Sequence, residues 1–198
     1  MTNEAKDLNV LYIIGNGFRP EEYFYSKEEV ENGGFKVITA GRQKKVPAKI
    51  IPEIPASAEA DITFDKFDEE YLNNLDKNFI AVVVPGGSPG WLNLLKDDKV
   101  LHLIKHAGEK GMLVASICSS VAVLAKTGIL KGKKATIWPG QDKDVIAGGG
   151  VPINADESFL QKTVIVKDEN LITANGPWAS REFGKAIVEE LNKKFKVK

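Results

Sequence analysis

The reading of the fold turns on Met112-Leu-Val-Ala-Ser-Ile-Cys118-Ser-Ser-Val-Ala-Val-Leu-Ala-Lys-Thr-Gly128. An apolar run of small and branched residues ends at Cys118, and a short helical pattern, Ser119 to Thr127, begins directly behind it and stops at Gly128. A side chain at a strand-to-helix junction is held rigidly, and the first free backbone N–H groups of the helix point towards it. Such donors lower the pKa of a thiol and can serve a developing oxyanion. The competing reading is that Cys118 only fills the core, since free cysteine is among the most buried residue types.

Upstream, Phe79-Ile-Ala-Val-Val-Val84 is the strongest parallel-strand pattern and runs straight into Pro85-Gly-Gly87, where glycine permits close backbone approach. Leu8 to Ile14 is a second nearly continuous apolar run, broken at Gly15-Asn-Gly17. Phe18-Arg-Pro-Glu-Glu22 reads as a loop, Tyr23 to Asn32 as a helix stopped by Gly33-Gly34, and Phe35 to Ala40 as the returning strand of a βαβ unit. Gly41 to Ala60, with three prolines and three lysines, reads as a surface excursion. Ile62-Thr-Phe64 reads as a short edge strand, and Asp68 to Leu75 as a brief helix capped by Asp65 or Asp68.

Gly90 to Leu95 and Asp98 to Lys110 read as helices. In the second, Val100, Leu103, Ile104 and Ala107 share one face, while His102 and His106 share the other. An i, i+4 histidine pair can bind metal, but a solvent-facing pair without a third ligand is an ordinary surface feature, so no metal site is expected. Beyond Gly128, Lys134 to Trp138 reads as a strand and Gly148-Gly-Gly150 as a turn. Val164-Ile-Val166 and Leu171-Ile-Thr173 read as a hairpin around Lys167-Asp-Glu-Asn170, Asn175-Gly-Pro177 as a loop, and Ser180 to Lys194 as a helix carrying Phe183, Ile187 and Leu191 on one face. Alternating strands and helices predict an α/β fold with a mostly parallel sheet, whose ligands bind at the carboxyl ends of the strands.

The chain has 198 residues, 43% of them hydrophobic, enough for one sizeable core, and a single domain over 1–198 is expected. Lys+Arg and Asp+Glu are both 27, and that balance gives no reason to expect a nucleic-acid or anionic-membrane partner. Arg42-Gln-Lys-Lys45 and the Lys193-Lys194 end read as solvated faces. One cysteine excludes an intrachain disulfide framework and suits a reducing compartment. Met1 to Asp7 is polar with no apolar signal core, and no apolar run reaches membrane-spanning length, so a cytoplasmic location is expected. Gly15-Asn-Gly17 lacks the third glycine of a dinucleotide fingerprint, and there is no Walker loop.

Five pieces taken in order resemble the ThiJ/PfpI superfamily, which includes the Parkinson-linked deglycase and the PfpI peptidases. They are Phe-Arg-Pro-Glu21-Glu22, Val-Val-Val-Pro85-Gly-Gly87, Ala-Ser-Ile-Cys118 with Gly-Ile-Leu-Lys131-Gly-Lys-Lys-Ala-Thr behind it, Leu-Ile-Thr173-Ala-Asn-Gly-Pro177, and Arg-Glu-Phe-Gly-Lys-Ala-Ile-Val-Glu-Glu-Leu191. The resemblance spans Val10 to Leu191. It implies a flavodoxin-like three-layer sandwich with a nucleophile elbow, close to the class I glutamine amidotransferase fold, and a homodimer. It makes Cys118 the elbow cysteine and Glu22 its acidic partner, with Glu21 an alternative by a slip of one. The backbone N–H groups of Gly87 and Ser119 become the oxyanion donors, and Gly86, Trp138, Asn175 and Pro177 line the pocket.

The chain departs from the family pattern in two places. PfpI-type peptidases carry histidine directly after the cysteine, where this chain has Ser119; other members place a histidine where this chain has Trp138. The implied activity is that of a cofactor-free, cysteine-dependent glyoxalase or deglycase acting on small 2-oxoaldehydes or their adducts. One alternative is a redox-responsive stress protein that senses oxidation at an exposed, low-pKa Cys118. A second is a PfpI-like cysteine peptidase or amidase acting on a peptide-like substrate, which lacks its histidine.

Overall fold

The computed structural model describes residues 9–195; Leu8 of the expected first strand and the polar Met1–Asp7 segment lie outside the described residues. In chain order the elements are β1 (Asn9–Ile13), α1 (Pro20–Asn32), β2 (Lys36–Gly41), β3 (Lys45–Pro47), β4 (Ser57–Glu59), β5 (Ile62–Thr63), α2 (Glu69–Asn73), α3 (Leu75–Asn78), β6 (Ala81–Val84), α4 (Gly90–Leu94), α5 (Asp98–Glu109), β7 (Leu113–Ile117), α6 (Val121–Thr127), β8 (Lys134–Ala135), α7 (Asp142–Ala147), β9 (Val151–Pro152), β10 (Ile165–Asp168), β11 (Leu171–Ala174) and α8 (Ser180–Phe195).

Seven strands form one sheet in the order β10-β11-β7-β6-β1-β2-β5. Every neighbouring pair is parallel except the β10–β11 hairpin. The central strands are buried on both faces, and this is why they read as continuous apolar runs rather than alternating ones. Successive side chains still point to opposite faces. Leu11, Ile13, Val82, Val84 and Val114 face α5 and α6 in one core. Val10, Tyr12, Ile14, Ala81, Val83, Ala115 and Ile117 face α1 and α8 in the other. This is the mostly parallel α/β sheet that the residue patterns predict, in the three-layer, flavodoxin-like sandwich that the resemblance implies. The chain leaves β1 to one side for β2 and crosses to the other side for β6, so the topological switch point lies between β1 and β6.

The helical face of α5 is as expected: Val100, Leu103, Ile104 and Ala107 are buried and His102 is exposed, although His106 is half-buried. Asp68 rather than Asp65 caps the brief helix, accepting from the Tyr71 N–H at 2.9 Å. Three expectations need correction. Pro20, Glu21 and Glu22 are not loop but the first turn of α1, with Pro20 at the position where its missing N–H costs nothing. The Gly41–Ala60 excursion contains the β3–β4 hairpin, which stands apart from the main sheet. Lys134 to Trp138 yields only the two-residue β8, paired with β9 outside the main sheet, so Trp138 is not in a strand. Helix α7 precedes the Gly148–Gly150 turn over a stretch for which the sequence offers no element, because six residues are too few for a periodic signal.

Candidate active site

Three loops leave the carboxyl ends of the adjacent strands β1, β6 and β7 and pack on one another. Their contact depends on residues without side chains. A Cβ on Gly15 would lie 2.2 Å from the Gly90 carbonyl oxygen, and one on Gly87 would lie 2.1 Å from the Arg19 nitrogen. Gly87 also has φ of +100°, a region that side chains disfavour. The Arg19 N–H donates to the Gly86 carbonyl at 2.8 Å, and Ser120 Oγ donates to the Pro85 carbonyl at 2.8 Å. These bonds join all three loops.

Cys118 is where β7 ends and the chain turns into a 3₁₀ turn that leads to α6. Its φ is +64°, while Ile117 before it is extended and Val121 after it is helical. A non-glycine residue in that region costs of order 1–3 kcal/mol, which the surrounding structure must supply. The consequence is a thiol held at the apex of a sharp turn, where the Ser119 backbone and hydroxyl both interact with it; Ser119 Oγ lies 3.8 Å from Sγ.

Glu22 reaches the same point from the first turn of α1. It is completely buried, and its Oε2 accepts the Gly86 N–H at 2.8 Å. The carboxyl interacts directly with the Cys118 thiol, while Oε1 has no hydrogen-bond partner in ordinary geometry. Gly86 is the wedge between the two: a Cβ there would lie 2.7 Å from Glu22 Oε2 and 2.8 Å from Cys118 Cβ. Glu21, the alternative by a slip of one, faces elsewhere and holds the Arg19 guanidinium in a two-pronged pair at 2.9 and 3.0 Å.

The electrostatics correct the expectation of an exposed, low-pKa thiolate. Cys118 is only 5% exposed. Burial, and then the neighbouring Glu22 charge, push its thiol well above the ordinary range, against the lowering effect of Ser119. Burial also pushes Glu22 up to about 8, outweighing its contacts with Cys118, Gly86 and Arg19. Burial therefore favours the protonated form of both groups. Two groups coupled this closely titrate as a unit. When the thiolate does form, protonated Glu22 is the neighbour that donates to it, and Oε1 is the oxygen free to carry that proton.

The other residues named from sequence are divided. Ser119 is half-buried beside the thiol, and Gly86 and Gly87 form the facing loop. Trp138 is half-buried and packs against both cores. Asn175 does not offer its side chain to a ligand: its amide is used up holding the 159–164 segment, accepting from Val164 N at 3.1 Å and donating to the Lys162 and Phe159 carbonyls at 2.8 and 3.3 Å. Pro177 starts the 3₁₀ turn before α8. Two neighbours went unread. Arg19 brings a cation close enough to interact with Cys118 and Glu22, and its place beside Glu21 was the available signal. Trp178 stacks obliquely on Trp138 with ring centroids 5.4 Å apart, and nothing local in sequence marks that contact. Among the described residues no group of three or more His, Cys, Asp or Glu is arranged to hold a metal ion.

The chain is thus a three-layer α/β sandwich with a cysteine on a strained strand-to-helix turn and a buried carboxyl beside it. Residues 8–190 match the DJ-1/PfpI family, and the chain belongs to it. It is 30% identical over 192 residues to Protein dj-1beta of Drosophila melanogaster, covering 96% of this chain and 92% of that one. It is 28% identical over 186 residues to a deglycase of Pyrococcus horikoshii, covering 91% and 99%. Among solved structures, a ThiJ/PfpI domain protein from Brachyspira murdochii superposes with a TM-score of 0.78 at 28% identity, over 93% of this chain and 96% of that one. Relatives named as deglycases place enzymatic activity within the family.

Proposed function

We propose that this protein is a cofactor-free, cysteine-dependent enzyme of the glyoxalase or deglycase kind, acting on small 2-oxoaldehydes such as methylglyoxal or on their early adducts. The observation that carries the reading is the buried Glu22 carboxyl held by Gly86 directly against the Cys118 thiol. A carboxyl raised to about 8 can give and take a proton near neutral pH, as a general acid–base must. The thiol adds across the aldehyde carbonyl to form a hemithioacetal, with the oxygen facing the Gly87 and Ser119 N–H groups. Glu22 in its ionised form then removes the proton from the former aldehyde carbon and returns it to the neighbouring carbon, while the hydroxyl proton passes to the adjacent oxygen. The resulting thioester is opened by water to release a 2-hydroxy acid and regenerate the thiol. No external oxidant or reductant is needed. The test is lactate formation from methylglyoxal: turnover lost in both Cys118→Ala and Glu22→Gln is expected, and no turnover above a buffer control at micromolar wild-type enzyme would remove the reading.

A second reading, redox sensing at Cys118, draws support from the unpartnered Glu22 Oε1, which could donate to a sulfinate oxygen. Burial of the thiol weighs against it. Intact mass after mild peroxide distinguishes the two, since two oxygens added at Cys118 alone are required. A peptidase reading fares worst: the groups acting on the pair are Arg19, Glu21, Gly86 and Ser119, with no histidine among them. A homodimer in the cytoplasm belongs to the same proposal. No helix among the described residues is long and apolar enough to cross a membrane, and light scattering after gel filtration reads the assembly.

A further inference from the structure

A cavity of about 200 Å³ opens at the same end of the sheet, and neither Glu22 nor Cys118 lines it. It is lined by Gly15 and Asn16 after β1, Arg42 after β2, Phe64 after β5, and Asn93, Leu94 and Asp97 in and behind α4. Phe64 and Leu94 give it an apolar floor. Arg42 and Asp97 face each other at 3.4 Å, longer than the 2.7–2.9 Å of a well-made ion pair. The Arg42 side chain is 67% exposed, whereas that of Asp97 is 13% exposed. Asp97 Oδ1 caps α5 through the Val100 N–H at 3.3 Å, which leaves Oδ2 facing the cavity side. Asn93 Nδ2 pins the Asn16 backbone carbonyl at 2.9 Å. Asn16 Oδ1, by contrast, is buried and has no partner, although buried polar atoms are nearly always satisfied.

We propose that this cavity binds a free α-amino acid. Its loosely paired cation and anion match the two charges of a zwitterion, and the orphan oxygen is an acceptor, which an ammonium group needs and a carboxylate does not. The guanidinium of Arg42 takes the carboxylate through two parallel N–H donors. Asp97 Oδ2 and Asn16 Oδ1 take the ammonium, and the side chain lies over Phe64 and Leu94. The inference is independent of the chemistry at Cys118.

The test is a titration of the ¹⁵N-labelled protein with glycine and L-alanine, followed by amide shifts. Saturable shifts at Asn16, Asn93 and Asp97 are expected, with lactate or ethylamine binding roughly tenfold or more weakly because each lacks one charge. Asp97→Asn keeps the helix cap and should weaken L-alanine about tenfold without weakening lactate. Asn16→Ala should also weaken L-alanine. No saturable shift, equal binding of lactate and alanine, or shifts confined to the Cys118 loops would each overturn the proposal. Unchanged alanine affinity in both variants would overturn it as well.

Discussion

Glu22 and Glu189 lie on α1 and α8, two helices that pack side by side on one face of the sheet, yet their carboxyls are driven in opposite directions. Glu22 is sealed from water with one N–H donor and a thiol for company, and burial raises it to about 8. The Glu189 side chain is 57% exposed and touches both Lys167 and Lys193 at 2.7 Å, and those cations lower it to about 2. Removal from water dominates where no cation is in contact; attraction dominates where water remains. Only the first arrangement gives a carboxyl that exchanges protons near neutral pH, and it does so at the expense of stability.

The largest effect expected is loss of activity. Cys118→Ala should reduce lactate formation by at least about a thousandfold, since nothing else in the site can form the covalent adduct. Glycines sharpen the contrast between site and surface next. Gly87→Ala puts a methyl 2.1 Å from the Arg19 nitrogen at φ +100°, whereas Gly132, at φ +75°, has open space around it. Chemical denaturation should show Gly87→Ala destabilised by more than about 2 kcal/mol, and Gly132→Ala by only the roughly 1 kcal/mol of a positive φ. Equal costs would mean that the close approach of the loops is not enforced by packing.

A pH series isolates Glu22. Its folded pKa, about 8, lies above the ordinary 4.5, so the folded state holds a proton that the unfolded chain releases between those values. Stability is therefore fully present below about pH 4.5 and declines as pH rises towards 8, by up to a few kcal/mol at 1.36 kcal/mol per unit. Glu22→Gln should flatten that slope, read from urea midpoints at pH 5 and 8. Glu189 works the other way and outside this window: its lowered pKa gives stability present above 4.5 and lost as pH falls towards 2. Being solvated, Glu189→Gln should leave the midpoint at pH 7 nearly unchanged, the smallest effect of the series.

Much of the architecture was legible wherever a pattern was long or strict. The apolar runs at β1, β6 and β7, the amphipathic α5 and α8, and the β10–β11 hairpin all sit within a residue or two of their expected places. What escaped was short: the two-residue β8, the six-residue α7 and the β3–β4 hairpin, whose stability comes from neighbours rather than from periodicity. Pro20 is the instructive miss, because proline followed by two glutamates is itself a helix-start signal. The helix it opens is what aims Glu22 inward while Glu21 turns out to Arg19.

The sequence alone determined that Cys118 ends a buried strand and begins a helix, because the strand pattern, the small residues and the closing Gly128 are all local. Tertiary structure decided the condition of that cysteine. Residues 64 and 32 positions upstream of Gly86 and Cys118, Glu22 and Gly86 respectively, meet it only because parallel strands bring their carboxyl ends together. Whether a thiol is lowered by helix donors or raised by burial depends on how much water those loops exclude. That is a property of packing in three dimensions, which no local stretch of sequence carries.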